Sequence, residues 1–144
     1  MPAVADETIV SAATEFVDVV NAADRVVRQV TRAAMRRDNL LHRAVYLVVR
    51  NGRGDFFVHR RTTMKDVYPG YWDVTVGGVV AAGESYDLSA RRELAEEVGI
   101  VDAAPVQLFE VRYADTATQL IGRAYLVRHD GPVTLQAEEV AWGA

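Results

Sequence analysis

Residues 78–100 read GVVAAGESYDLSARRELAEEVGI. Glycine punctuation predicts a loop over 77–84. Ser85 then offers a side-chain oxygen to cap a helix, and Asp87 lies in its first turn, where the helix dipole favours an acid. Gly99 is the expected stop, because glycine takes the left-handed conformation that ends a helix. The predicted helix therefore spans 85–98. Wound at about 100° per residue, it places Leu88, Leu94, Ala95 and Val98 on one side. Glu93, Glu96 and Glu97 fall on the opposite, exposed side. Carboxylates three and four residues apart repel one another, and only Arg92 is near enough to offset them. The result is a negative pocket that a divalent cation would neutralise, and hard carboxylate oxygens suit Mg²⁺ or Mn²⁺. Taken alone, the same three glutamates also describe a solvated acidic helix face.

Around this helix the chain reads mostly as strands. Residues 15–20 alternate polar and apolar side chains, 21–24 form a turn, and 25–30 return as a partner strand. Thr31 caps a short basic helix over 31–38. The apolar run 44–50 reads as a central strand, and Asn51-Gly-Arg-Gly54 as a hairpin turn into a strand over 55–61. A polar loop covers 62–71, followed by a short strand over 72–76. Two more strands are expected at 106–113 and 120–128. Residues 1–14 read as a frayed end or a short helix. The tail over 132–144 is too short for a closing helix. Strands outnumber helices, and the fold class is α/β or α+β with a mixed sheet.

Composition narrows the function. At 144 residues the chain fits one domain spanning 1–144. Sixteen basic against twenty acidic residues give a net charge of −4, which argues against a general nucleic-acid coat. The chain has no cysteine, so disulfides, cysteine zinc sites and thiol nucleophiles are excluded. The longest apolar run, 44–49, is far too short to span a bilayer. The N-terminus does not read as a secretory signal, and a cytoplasmic protein is the expectation. Lys65 is the only lysine among sixteen basic residues.

The quoted segment holds a fixed pattern: Gly78, five residues, Glu84, seven residues, Arg92-Glu93-Leu94, any residue, Glu96-Glu97, any residue, Gly99-Ile100. This resembles the Nudix box, matching all seven of its fixed positions and both aliphatic ones. A pattern of that length is specific. The resemblance covers roughly residues 15–142. It implies an α/β/α sandwich around a mixed sheet, with a loop-helix-loop catalytic motif. It also implies hydrolysis of a diphosphate linked to another group, with Mg²⁺ or Mn²⁺ as cofactor. By the same resemblance Glu96 and Glu97 bind metal. Glu93 binds metal or acts as base, and the carbonyl of Gly77 completes the shell. Glu84 and Arg92 brace the loop on the helix, with Gly78 and Gly99 as structural glycines. A base in a late loop is also common in the family, which makes Glu139, beside Glu138, a second candidate.

Residues before the box resemble the isopentenyl-diphosphate isomerase branch of the superfamily: Arg61-Thr-Thr-Met-Lys65, Tyr68-Pro-Gly70 and Trp72. The resemblance implies that Arg61 and Lys65 hold a substrate diphosphate, as their chemistry suits. His42 matches a metal-binding histidine of the isomerases. The match breaks where isomerisation needs it, because the catalytic cysteine position is Gly77 and the second histidine position is Val79. His42 is therefore expected to make an ordinary structural hydrogen bond. Relatives continue past the position of Trp142 into a last strand and a C-terminal helix. Without that helix an apolar sheet face is expected, covered by a partner subunit unless the chain is a shortened form.

The expected function is a metal-dependent hydrolase of a phosphoanhydride in a small-molecule diphosphate, with no nucleic-acid or membrane partner and with a homodimer in view. The alternatives are a Nudix-fold module that binds a ligand without turnover, an isoprenoid diphosphate isomerase, and a nucleic-acid binder using Arg32, Arg36, Arg37 and Arg43.

Overall fold

The computed structural model describes residues 14–60, 72–133 and 140–143. Nine strands and two helices are present among them: β1 (Phe16–Val20), β2 (Val26–Thr31), α1 (Arg32–Arg37), β3 (Leu41–Arg50), β4 (Phe56–Arg60), β5 (Trp72–Asp73), β6 (Thr75–Val79), α2 (Tyr86–Val98), β7 (Val106–Ala114), β8 (Gln119–Arg128) and β9 (Val140–Gly143). Expectations for residues 1–13, Arg61, Lys65, Glu138 and Glu139 lie outside the described residues.

The apolar run expected at the centre of the sheet is there. Strand β3 pairs in parallel with β8 over its whole length, from Leu41↔Gln119 to Arg50↔Arg128. On its other side it pairs antiparallel with β6, from Ala44↔Val79 to Val48↔Thr75. The sheet is therefore mixed, as the fold class requires. Alternate β3 residues Val45, Leu47 and Val49 are fully buried and meet Ala90, Leu94 and Val98 of α2 in the main core. The tie is polar as well: the Tyr125 hydroxyl of β8 donates to Asp87 Oδ1 in the first turn of α2 at 2.8 Å. Burial and that acceptor push the Tyr125 phenol up to about 12.

Helix α1 lies on the opposite face. Gly78 faces Glu93 of α2, so its neighbour Val79 points the other way along the pleat. There it packs with Met35 of α1 and Val17 of β1. One helix on each face is the layering expected of an α/β/α sandwich.

Three expectations are corrected, and the tail adds a strand. The strand placed at 72–76 is interrupted at Val74, and its second part runs on through Gly77 and Gly78 to Val79, so those glycines lie in β6 and not in a loop. They are needed because neighbouring atoms approach closely there. The tail contains a strand: β9 pairs antiparallel with β4, from Phe56↔Gly143 to His59↔Val140. Leu88 is 55% exposed. Glu93, assigned to an exposed side, is buried. The last two share one cause. The arc of α2 turned to the sheet is centred near Ala90, which places Leu88 about 160° away and draws Glu93 inward.

Candidate functional site

Helix α2 has the ends its sequence predicts. Ser85 Oγ accepts from the Leu88 amide at 3.1 Å. Gly99 adopts φ 71° and its amide returns to the Ala95 carbonyl. These ends fix where the glutamates begin their turn.

The segment between β6 and α2 is pinned to β1, a role the sequence did not reveal. The Ala82 amide donates to the Phe16 carbonyl at 2.9 Å, and the Gly83 amide to Asp18 Oδ2 at 3.0 Å. Asp18 is buried on β1. Glu84 closes the segment on itself, accepting from the Ala81 amide at 3.2 Å. Glu84 also meets Arg92 in a two-point contact, Oε2 to Nε at 2.7 Å and Oε1 to Nη2 at 2.9 Å. Planar guanidinium and carboxylate match in this fork geometry. The contact joins the segment before α2 to Arg92 on the helix.

The remaining guanidinium nitrogen of Arg92 faces the other glutamates. Its Nη1 lies 3.1 Å from Glu93 Oε1 and 3.2 Å from Glu96 Oε2. Glu93 is held against the backbone of β6, where a Cβ on Gly78 would stand 3.0 Å from Glu93 Oε1. Gly78 thus leaves room for a buried carboxylate. Glu96 is exposed and Glu97 half-buried, one residue further round the helix.

A groove of about 530 Å³ runs along this face. Glu93, Glu96, Glu97 and Glu84 line it from the helix side, and Gly77 and Gly78 from the strand side. The residues singled out from the sequence as Gly77, Gly78, Glu84, Arg92, Glu93, Glu96 and Glu97 are thereby brought together. Gly99, which caps α2, is not among the residues lining the groove. Among the described residues, no three His, Asp or Glu side chains stand close enough together to hold one ion. Arg92 lies between two of the glutamates instead.

Arg32 and Phe16 also line the groove. Arg32 follows the Thr31 cap at the start of α1, and its guanidinium is 3.9 Å from Glu15 Oε2. It brings a second cation to the groove. The sequence places Arg32 only in a basic helix, because nothing local reports that the start of α1 lies beside the groove. The other arginines of that cluster have partners elsewhere: Arg36 donates to Thr118, Arg37 to Asp38 and Arg43 to Asp24. His42 is buried, with Nδ1 2.9 Å from the Leu40 carbonyl, the structural hydrogen bond expected of it.

The Glu84–Arg92 contact makes stability pH-dependent. The hydrogen bond from Arg92 holds the Glu84 carboxyl below its ordinary value of 4.5, against the opposing effect of burial. A lowered carboxyl stabilises the fold above its unfolded value and loses that contribution as pH falls through its folded value. Glu84→Gln is expected to cost about 2 kcal/mol at pH 7 and less at pH 3. Urea unfolding at both pH values checks this, and an equal cost at each would contradict it.

The family's NUDIX domain matches residues 40–142. An uncharacterized Nudix hydrolase of Streptomyces coelicolor, SCO1686, is 46% identical over 136 residues, covering 93% of this chain and 75% of that protein. The uncharacterized Nudix hydrolase YfcD of Escherichia coli is 42% identical over 130 residues, covering 90% of this chain and 72% of its own length. Among solved structures, DR0079 from Deinococcus radiodurans superposes with a TM-score of 0.77 at 29% identity, covering 90% of this chain and 83% of that one. A MutT protein from Methanosarcina mazei gives 0.63 at 28% identity, covering 72% and 75%. None of the described helices is long and apolar enough to cross a membrane. The glutamate-bearing helix, the strand glycines beneath it and these likenesses agree, and the chain belongs to the Nudix hydrolase family.

Proposed function

We propose that the chain hydrolyses a phosphoanhydride bond in a nucleoside diphosphate-linked or other organic diphosphate, as a cytoplasmic homodimer using Mg²⁺ or Mn²⁺. The observation that supports this most is the shared groove of Glu93, Glu96 and Glu97 beside Gly77 and Gly78. Its side-chain donors are carboxylate oxygens, the kind that suits a hard divalent cation. Glu93, Glu96, Glu97 and the Gly77 carbonyl would hold the ion, once Arg92 Nη1 lets go of Glu93 and Glu96. The two-point contact with Glu84 keeps Arg92 in place through its other nitrogens. When bound, the cation offsets diphosphate charge and makes water a better nucleophile.

The chain's own residues do the rest. Arg32, with Arg61 and Lys65, meets the phosphate oxygens and orients the anhydride for in-line attack. Water adds at phosphorus, the bridging P–O bond breaks, and the leaving phosphate takes the electron pair. Glu93 or Glu139 accepts the proton that the water gives up. Gly78 keeps the space in which the Glu93 carboxylate sits.

A module that binds a diphosphate without turnover is the second reading. One observation favours it: Arg92 already engages Glu93 and Glu96. Phosphate release from a panel of diphosphate compounds separates the two. Each compound is run with Mg²⁺, with Mn²⁺ and with chelator, and with inorganic pyrophosphatase to expose pyrophosphate products. Metal-dependent release from at least one compound supports the hydrolase. Saturable binding of a compound with no release under any condition supports the second reading.

A further inference from the structure

Strand β7 is an open edge. Among the described residues it pairs only with β8, and eight of its nine residues are exposed. Edge strands of this length are usually blunted by charge, proline or a covering element. This one instead presents large apolar side chains, including Phe109 and Tyr113, 58% and 47% exposed. Its charges are few and ordered. Glu110 and Arg112 lie on one face with a contact of 2.8 Å between them, while Phe109, Val111 and Tyr113 alternate onto the other.

We infer that β7 pairs antiparallel with β7 of a second copy of this chain, about a two-fold axis through Val111. That register places each Glu110 opposite an Arg112 and each Phe109 opposite a Tyr113. Opposite charges and aromatic pairs facing one another across strands are both stabilising. Moving the axis to Glu110 or to Arg112 places like charges face to face, which is unfavourable. A two-fold requires a self-complementary patch, and the order Phe-Glu-Val-Arg-Tyr over 109–113 is one. The pairing gives the edge amides and carbonyls partners and continues the sheet from one protomer into the next. It names the strand and register for the homodimer proposed above, and stands apart from the chemistry proposed there.

The absence of cysteine makes a direct test available. In Val111→Cys the two sulfurs face one another across the axis, with Cα atoms about 4.5–5.5 Å apart, within reach of a disulfide. In Val106→Cys the two positions are roughly 30 Å apart. Mild oxidation is expected to cross-link the first variant to a dimer and leave the second monomeric. Sedimentation of the unmodified chain over a concentration series is expected to show a dimer, lost in Glu110→Arg and restored in Glu110→Arg/Arg112→Glu. A monomer at every concentration, cross-linking equal in both cysteine variants, or a dimer that survives Glu110→Arg would each overturn the inference. Because cross-linking is read against a matched control, it remains decisive even if a charge variant folds poorly.

Discussion

Glu97→Gln is expected to lower metal-dependent turnover roughly a thousandfold, about 4 kcal/mol in the barrier, while leaving the fold intact. The substitution keeps the size of the side chain and removes one charge from the groove that Glu93, Glu96 and Glu97 share. A neutral amide is a much poorer ligand for a hard cation than a carboxylate. The fold is expected to tolerate the change because Glu97 is only half-buried on α2. Relief of repulsion with Glu93, four residues earlier, works in the same direction. The expected pattern is therefore lost turnover with an unchanged or slightly raised melting temperature. Loss of both together would show that the side chain acts through the fold.

Gly77→Ala is expected to have the opposite signature, a loss of stability of roughly 3–5 kcal/mol. Gly77 adopts φ 153°, and a Cβ there would stand 2.0 Å from the Val45 carbonyl oxygen in the paired strand. No flexible side chain can yield, because the obstacle is the backbone of β3. Relief requires β3 and β6 to separate at the Val45↔Gly78 and Tyr46↔Gly77 pairs, under the core. Gly83→Ala supplies the contrast. Gly83 also has a positive φ, 81°, but nothing lies within 4 Å of its missing Cβ. Its cost is then only the conformational strain, about 1 kcal/mol. Urea unfolding of the two variants checks the difference, and equal stabilities would contradict the close-approach argument.

What could be read from the sequence follows the range of the interactions involved. Helix α2 and its ends were legible because Ser85 and Gly99 act on neighbours within four residues. The central run and the Asn51 turn were legible for the same reason. The site itself was only half legible. Spacing put Glu93, Glu96 and Glu97 near one another, but the burial of Glu93 depends on Gly78, fifteen residues earlier, coming to lie beneath it. Leu88, Leu94, Ala95 and Val98 form one apolar side of the wound helix, whereas the sheet meets the helix around Ala90 and leaves Leu88 exposed. Glycine marks both turns and tight strand contacts, so Gly77 and Gly78 read locally as loop although β3 lies beside them. Arg32 reached the groove through the packing of α1, which leaves no trace in the residues around it.

The proposed hydrolysis requires the glutamate face of α2 to bind a divalent cation. Titration of the chain with Mn²⁺, reading free ion by its magnetic resonance signal, tests this without choosing a substrate. Saturable binding by the wild-type chain, weakened at least tenfold in Glu97→Gln, is the predicted result. Equal binding by both proteins, or none by either at millimolar Mn²⁺, would contradict it.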